Sequence, residues 1–114
     1  ASFVKYAINS YLGMKVTFFN QLHDAALDFS CSPQRIIDAV SADKRIGYSH
    51  TRVPGFDGKK GFGGACLPKD MNAFVKFNED LTLIAESVKI NNKMREEYEL
   101  DEREKDNNIK FEDK

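Results

Sequence analysis

A chain of 114 residues with 41% hydrophobic and 31% charged side chains has apolar material for one core and room for one domain. No run approaches the roughly 20 apolar residues of a membrane-spanning helix, and 17 Lys and Arg against 18 Asp and Glu leave a formal charge of -1, without the field that draws a polyanion. Membrane-spanning and non-specific nucleic-acid-binding roles are therefore set aside.

Cys31 and Cys66 are the only cysteines, too few for a disulfide framework and without the second pair that completes a zinc site. A reducing, cytoplasmic setting and no metal are expected. The chain opens at Ala1 without a basic-then-apolar leader and runs straight into amphipathic sequence, the start expected of a piece of something longer.

From about Phe3 to Phe29, Ala7, Tyr11, Met14, Phe18, Leu22, Ala25 and Phe29 recur at three- and four-residue steps, and Val4, Ile8, Leu12, Val16, Phe19 and Ala26 run beside them. This predicts one long helix whose apolar face is wide enough to be covered from more than one side, by its own domain or by another subunit. Ser32 and Pro33 form a cap and first-turn pair. They open a short helix to about Ser41 with Ile36, Ile37 and Val40 inward. Residues 46–65 hold six of the seven glycines together with Pro54 and read as a long loop, a type that is usually functional or disordered. Two further helices follow, Pro68 to about Phe77 and Leu81 to about Leu100. No stretch alternates with period two, so the fold class is all-α. The last 19 residues carry nine acids against four bases, leaving the rest net positive, and 101–114 reads as a frayed acidic tail behind a domain at 1–100.

The chemistry concentrates in Gly61-Phe62-Gly63-Gly64-Ala65-Cys66-Leu67-Pro68-Lys69-Asp70. Glycines let backbone approach a ligand, and a cysteine at the head of a helix lies near the positive end of its dipole, which together with Lys69 favours the nucleophilic thiolate. Asp70, one turn on, is placed to orient or deprotonate a water. On spacing alone the plainer alternative stays open, in which Cys66 is a small apolar residue and the glycines shape a turn. A dinucleotide fingerprint does not fit, because Gly61-Phe62-Gly63 follows no predicted strand and lacks the third glycine. His23 beside Asp24 reads as a surface or interfacial histidine. His50 near Arg52 has no partner that makes it a site.

The segment GFGGACLPKD resembles the catalytic-cysteine motif of the UDP-glucose 6-dehydrogenase family, whose members typically read GFGGSCFPKD or GYGGSCFPKD there. FVKYAINSYLGMKVTFFNQL is similar to the family's long central helix and SADKRIG to the segment before its substrate loop, so the resemblance covers roughly residues 1–77. It implies the central, all-helical dimerisation domain of an NAD-dependent enzyme, similar to the C-terminal domain of 6-phosphogluconate dehydrogenase. NAD would be bound by a Rossmann domain absent from this chain, and the chain alone would be inactive. The implied reaction oxidises the C6 alcohol of UDP-glucose to UDP-glucuronate.

Within that resemblance Cys66 matches the nucleophile that forms a thiohemiacetal and then a thioester. Lys5 and Asn9 match the pair that stabilises the oxyanion and holds a water, and Asp70 the carboxylate that assists hydrolysis. Arg45 matches an arginine reaching into a neighbouring subunit's site, and Phe62 and Gly63 match loop positions that contact the UDP-sugar. A homodimer through the long helix is implied. Ala65 and Leu67 depart from the usual Ser and Phe, and the loop 48–60 appears longer than in many members, so its contacts do not transfer. A GDP-mannose or UDP-N-acetylmannosamine dehydrogenase, or a helical dimerisation module without activity, are the alternatives.

Overall fold

The computed structural model describes residues 2–112. Five helices follow in order: α1 (Ser2–Asp28), α2 (Pro33–Ser41), α3 (Cys66–Phe77), α4 (Thr82–Arg95) and α5 (Glu102–Asp106), with no strand among the described residues. At 1.5 Å per residue α1 is about 40 Å long, so it spans the 38 Å long dimension of the molecule. The other helices are laid along it, α3 and α4 over its N-terminal and middle turns and α2 toward its C-terminal end.

The side of α1 that α3 and α4 cover is not an apolar stripe. It is a row of small and polar residues, Ser10, Gly13, Thr17 and Asn20, all buried. Gly13 has a steric reason to be glycine, since a Cβ there would collide with the Met71 thioether sulfur of α3. Close backbone approach leaves room for hydrogen bonds instead of large side chains, and Ser87 of α4 donates to the Thr17 hydroxyl at 3.0 Å. Large apolar residues of the helix point elsewhere: Val4, Ile8, Tyr11 and Phe18 are each more than half exposed. Of the wide face expected to be covered by its own domain or by another subunit, the domain buries Phe19, which packs with Ile37, Val53, Leu22 and Val40, and Ala26.

Helix ends follow local chemistry. Ser30, with φ of 58°, closes α1, because the Cys31 N–H reaches Ala26 O at 2.8 Å and the Ser30 N–H reaches Leu27 O at 3.0 Å, a Schellman arrangement made without glycine. Pro33 opens α2 behind Ser32, whose hydroxyl accepts weakly from the Arg35 N–H at 3.5 Å. The start of α3 differs from the sequence expectation. Cys66, not Pro68, is its first residue, and Pro68 sits in the first turn, where the N–H it lacks would have no intrahelical partner anyway. The next helix ends at Arg95 rather than near Leu100.

The segment between α2 and α3 is ordered by side chains. Lys15 donates to Ile46 O at 2.7 Å and the Lys60 ammonium meets Asp24 at 2.7 Å, so α1 holds both ends of the loop. Where the sequence reads 101–114 as frayed, the part described, to residue 112, turns back onto the glycine loop. Asp101 caps α5 with a reciprocal Asp101–Glu104 capping box, and Glu104 and Ile109 are buried. Residues 113 and 114 of that expected tail lie outside the described residues. No described helix is long and apolar enough to cross a membrane.

Candidate functional site

Cys66 begins α3 and Asp70 lies one turn later on the same face, the i,i+4 relation that sets side chains one above the other. Opposite them, Lys5 and Asn9 hold the same relation on α1. The two pairs meet at Asp70: the Asn9 amide donates to Oδ2 at 2.7 Å and the Lys5 ammonium stands 3.7 Å from the same oxygen. The Asp70 carboxylate is 7% exposed while the Lys5 side chain is 65% exposed. A buried carboxylate is thus held by one firm hydrogen bond and one solvent-facing cation, with Oδ1 left to accept from a ligand or water. Packing of Phe3 and Tyr6 on Phe74, at 5.3 and 6.0 Å between centroids, fixes the register that makes this meeting possible.

The cysteine is exposed and free, as is Cys31. It is the first residue of α3, and the guanidinium Nη2 of Arg103, in α5, lies 3.8 Å from Sγ.

The glycine loop behind the cysteine has its backbone groups taken by buried side chains. Asn20 accepts from the Gly61 N–H at 3.1 Å. Asn91 accepts from the Phe62 N–H at 2.7 Å and donates to Phe62 O at 2.9 Å. Arg95 donates to Gly61 O at 3.2 Å, and Glu104 accepts from the Gly64 N–H at 2.8 Å. Arg95 is buried and answered by Asp57, 2.9 Å from Nη1, with Glu104 farther off at 4.0 Å. Gly61 is required twice over: its φ is +76°, and a Cβ would strike the Asn91 carbonyl oxygen. At Gly63 a Cβ would lie 2.6 Å from both the Arg95 and the Glu104 side chains.

Along this loop runs a cleft of about 540 Å³, with Gly61, Gly63, Gly64, Leu67, Arg52 and Arg103 on its wall. A larger groove, about 630 Å³, lies between α3, α4 and the C-terminal segment; Lys5, Asn9, Cys66 and Asp70 line neither cavity, and the glycine loop that leads into Cys66 lines the smaller one.

Of the residues singled out from sequence, Lys5, Asn9 and Asp70 come into contact and Cys66 stands one turn from Asp70. Phe62 turns its ring inward and gives both backbone groups to Asn91, while Gly63 lies on the cleft wall. Arg45 is not brought to this cluster. It sits exposed after α2, its guanidinium 2.7 Å from Asp43, which holds the Asp43 carboxyl below the usual carboxylate range and raises the guanidinium. His50 is on the cleft wall, and His23 pairs with its neighbour Asp24 at 3.1 Å.

Sequence reasoning missed Asn20, Asn91, Arg95, Arg103 and Glu104. One signal was available for α4: Ser87, Asn91 and Arg95 fall at i, i+4 and i+8, a polar row on a helix read for its apolar residues.

Residues 1–95 match the central-domain model of the UDP-glucose/GDP-mannose dehydrogenase family. A UDP-glucose 6-dehydrogenase of Bacillus subtilis, YwqF, is 30% identical over 96 residues, which are 81% of this chain and 21% of that protein. A UDP-glucose 6-dehydrogenase of Campylobacter jejuni is 43% identical over 70 residues, 61% of this chain and 16% of its own length. A GDP-mannose 6-dehydrogenase of Pseudomonas savastanoi is 36% identical over 74 residues, 64% and 16% of the two chains. The chain spans about a fifth of the length of the curated relatives it matches. It belongs to the UDP-glucose/GDP-mannose dehydrogenase family, with residues 1–95 corresponding to the central domain.

Proposed function

We propose that this chain carries the covalent-catalysis centre of a sugar-nucleotide dehydrogenase that converts the C6 alcohol of UDP-glucose to a carboxylate. The observation that carries the reading is the 2.7 Å hydrogen bond from Asn9 to Asp70, joining residues 61 apart and bringing the amide and ammonium of α1 to the carboxylate that stands one helical turn after Cys66. In this reading the Cys66 thiolate attacks the aldehyde carbon, forming the C–S bond while the carbonyl pair moves to oxygen. Lys5 and the Asn9 amide stabilise that oxyanion. The thiohemiacetal becomes a thioester only when its carbon loses hydride to the enzyme's oxidant, and in the hydrolysis that follows Asp70 takes a proton from the attacking water. The glycine loop walls the sugar's cleft, Gly63 at the surface and Phe62 as its packed support.

The family's oxidant is NAD, and the described residues do not fit it. No strand leads into the glycine loop, and the N–H groups of Gly61, Phe62 and Gly64 that might cradle a pyrophosphate already donate to Asn20, Asn91 and Glu104. No step by these residues is therefore routed through the dinucleotide, whose site we assign to a domain outside this chain. The chain by itself is assigned no turnover.

A homodimer is part of the reading. The exposed row Val4, Ile8, Tyr11 and Phe18 gives α1 a self-complementary apolar face, and Arg45, exposed on its turn, is available to a partner's site. The test is turnover of the gene product as its source organism makes it, offered UDP-glucose, GDP-mannose and UDP-N-acetylmannosamine. Oxidation of UDP-glucose, lost by a factor of at least about 10³ in Cys66→Ser, is expected. Similarity to a GDP-mannose 6-dehydrogenase favours GDP-mannose as the second reading. Unimpaired turnover in Cys66→Ser would overturn the covalent mechanism for either sugar.

A further inference from the structure

We propose that Arg103 is the counter-charge of the Cys66 thiolate, a catalytic residue supplied by the segment beyond the family-matched residues 1–95. The inference rests on the reading of Cys66 as nucleophile and adds a residue that reading does not contain.

Three observations place the guanidinium deliberately. Its Nη2 lies 3.8 Å from Sγ, and it makes no ion pair with any carboxylate among the described residues. Arg103 also stands over the loop itself, Nη1 being 3.7 Å from where a Gly64 Cβ would be. Its short helix is anchored by Glu104, next in sequence, which is 1% exposed, accepts from the Gly64 N–H at 2.8 Å and completes the capping box with Asp101. One turn on, the C-cap Asn107 donates to Arg103 O at 2.8 Å. The acidic segment thus delivers one cation to the thiol while its buried acid clamps the loop that carries that thiol.

The chemistry gives the cation two moments to act. At attack it faces the sulfur that forms the new C–S bond. In thioester hydrolysis a water oxygen bonds to the carbonyl carbon, one water proton passes to Asp70, and the C–S bond breaks with its electron pair left on Sγ. The departing thiolate then reappears beside Arg103.

The test is the alkylation of Cys66 in the full 114-residue chain carrying Cys31→Ser, comparing anionic iodoacetate with neutral iodoacetamide. A cation at the thiol favours the anionic reagent, so Arg103→Ala lowers the iodoacetate-to-iodoacetamide rate ratio by about fivefold, the worth of one unit charge at this distance in a water-like dielectric. Arg103→Lys restores most of it, and about 1 M salt erases the difference. A role limited to holding α5 in place would change access for both reagents alike and leave the ratio fixed. An unchanged ratio in Arg103→Ala, or a fall that Arg103→Lys fails to restore, would overturn the proposal. In the chain that keeps both cysteines, Cys66 no faster than Cys31 would instead remove the nucleophile reading on which it stands.

Discussion

Replacing Asn91 by Leu separates the polar account of this fold from an apolar one. Asn91 is 1% exposed and its amide satisfies both backbone groups of Phe62, the N–H at 2.7 Å and the carbonyl at 2.9 Å. Leucine has nearly the same shape and can do neither. Each buried group left without a partner costs about 1–3 kcal/mol, and the added apolar burial returns about 1–2 kcal/mol. At the middle of those ranges the net loss is about 2.5 kcal/mol, a large share of the roughly 5–15 kcal/mol that holds a domain of this size. Urea titration at constant m-value measures it, and the melting temperature falls by roughly 10 °C. Lys93→Leu, on the exposed side of the same helix, is the control and stays within about 0.5 kcal/mol. A loss below 1 kcal/mol in Asn91→Leu would refute the claim that side-chain amides hold the glycine loop.

Three further outcomes follow from the same geometry. Gly61→Ala forces a Cβ into a φ of +76° and onto the Asn91 oxygen, and loses about 2–4 kcal/mol in the same titration; a loss under 0.5 kcal/mol would show that the loop yields freely. Burial draws the Asp24 carboxyl upward, but hydrogen bonds from Lys60 and His23 outweigh it and hold the group below the usual carboxylate range. Its contribution is complete above a pH of about 4 and is lost as pH falls through its lowered value, so the melting-temperature deficit of Asp24→Asn, about 2 °C for an exposed pair, disappears in acid. A deficit that persists there would contradict the assignment. Ile8→Glu on the exposed face of α1 converts a dimer at micromolar concentration to monomer in sedimentation without lowering helix content; a wild-type monomer would remove the dimer and the in-trans role of Arg45.

The all-helical fold and the meeting of α1 with α3 were legible because they rest on periodicity and on one long motif. Spacing put Lys5 with Asn9 and Cys66 with Asp70, each pair within its own helix, and the family resemblance joined the pairs. What spacing hid was the polarity of the buried side of α1. Apolar positions such as Tyr11 and Phe18 repeat at helical steps and draw the eye, yet it is the row of Ser10, Gly13, Thr17 and Asn20 that faces the core, since only small residues admit α3 and α4 so closely. The acidic end misled for a related reason. Its net charge argues for solvation, whereas a single buried acid, Glu104, accepts from a backbone N–H 40 residues away and ties α5 to the glycine loop. Pairings over that distance leave no local signal.

The central claim, that Cys66 at the start of α3 is the nucleophile, is tested most directly by racing the two cysteines. Both are exposed and free, so each is open to the reagent. Peptide mass analysis of the folded chain during limited iodoacetamide treatment near neutral pH gives the ratio of their rates. The account predicts Cys66 labelled about tenfold or more faster than Cys31, with the difference lost in urea. Equal rates in the folded chain would contradict it.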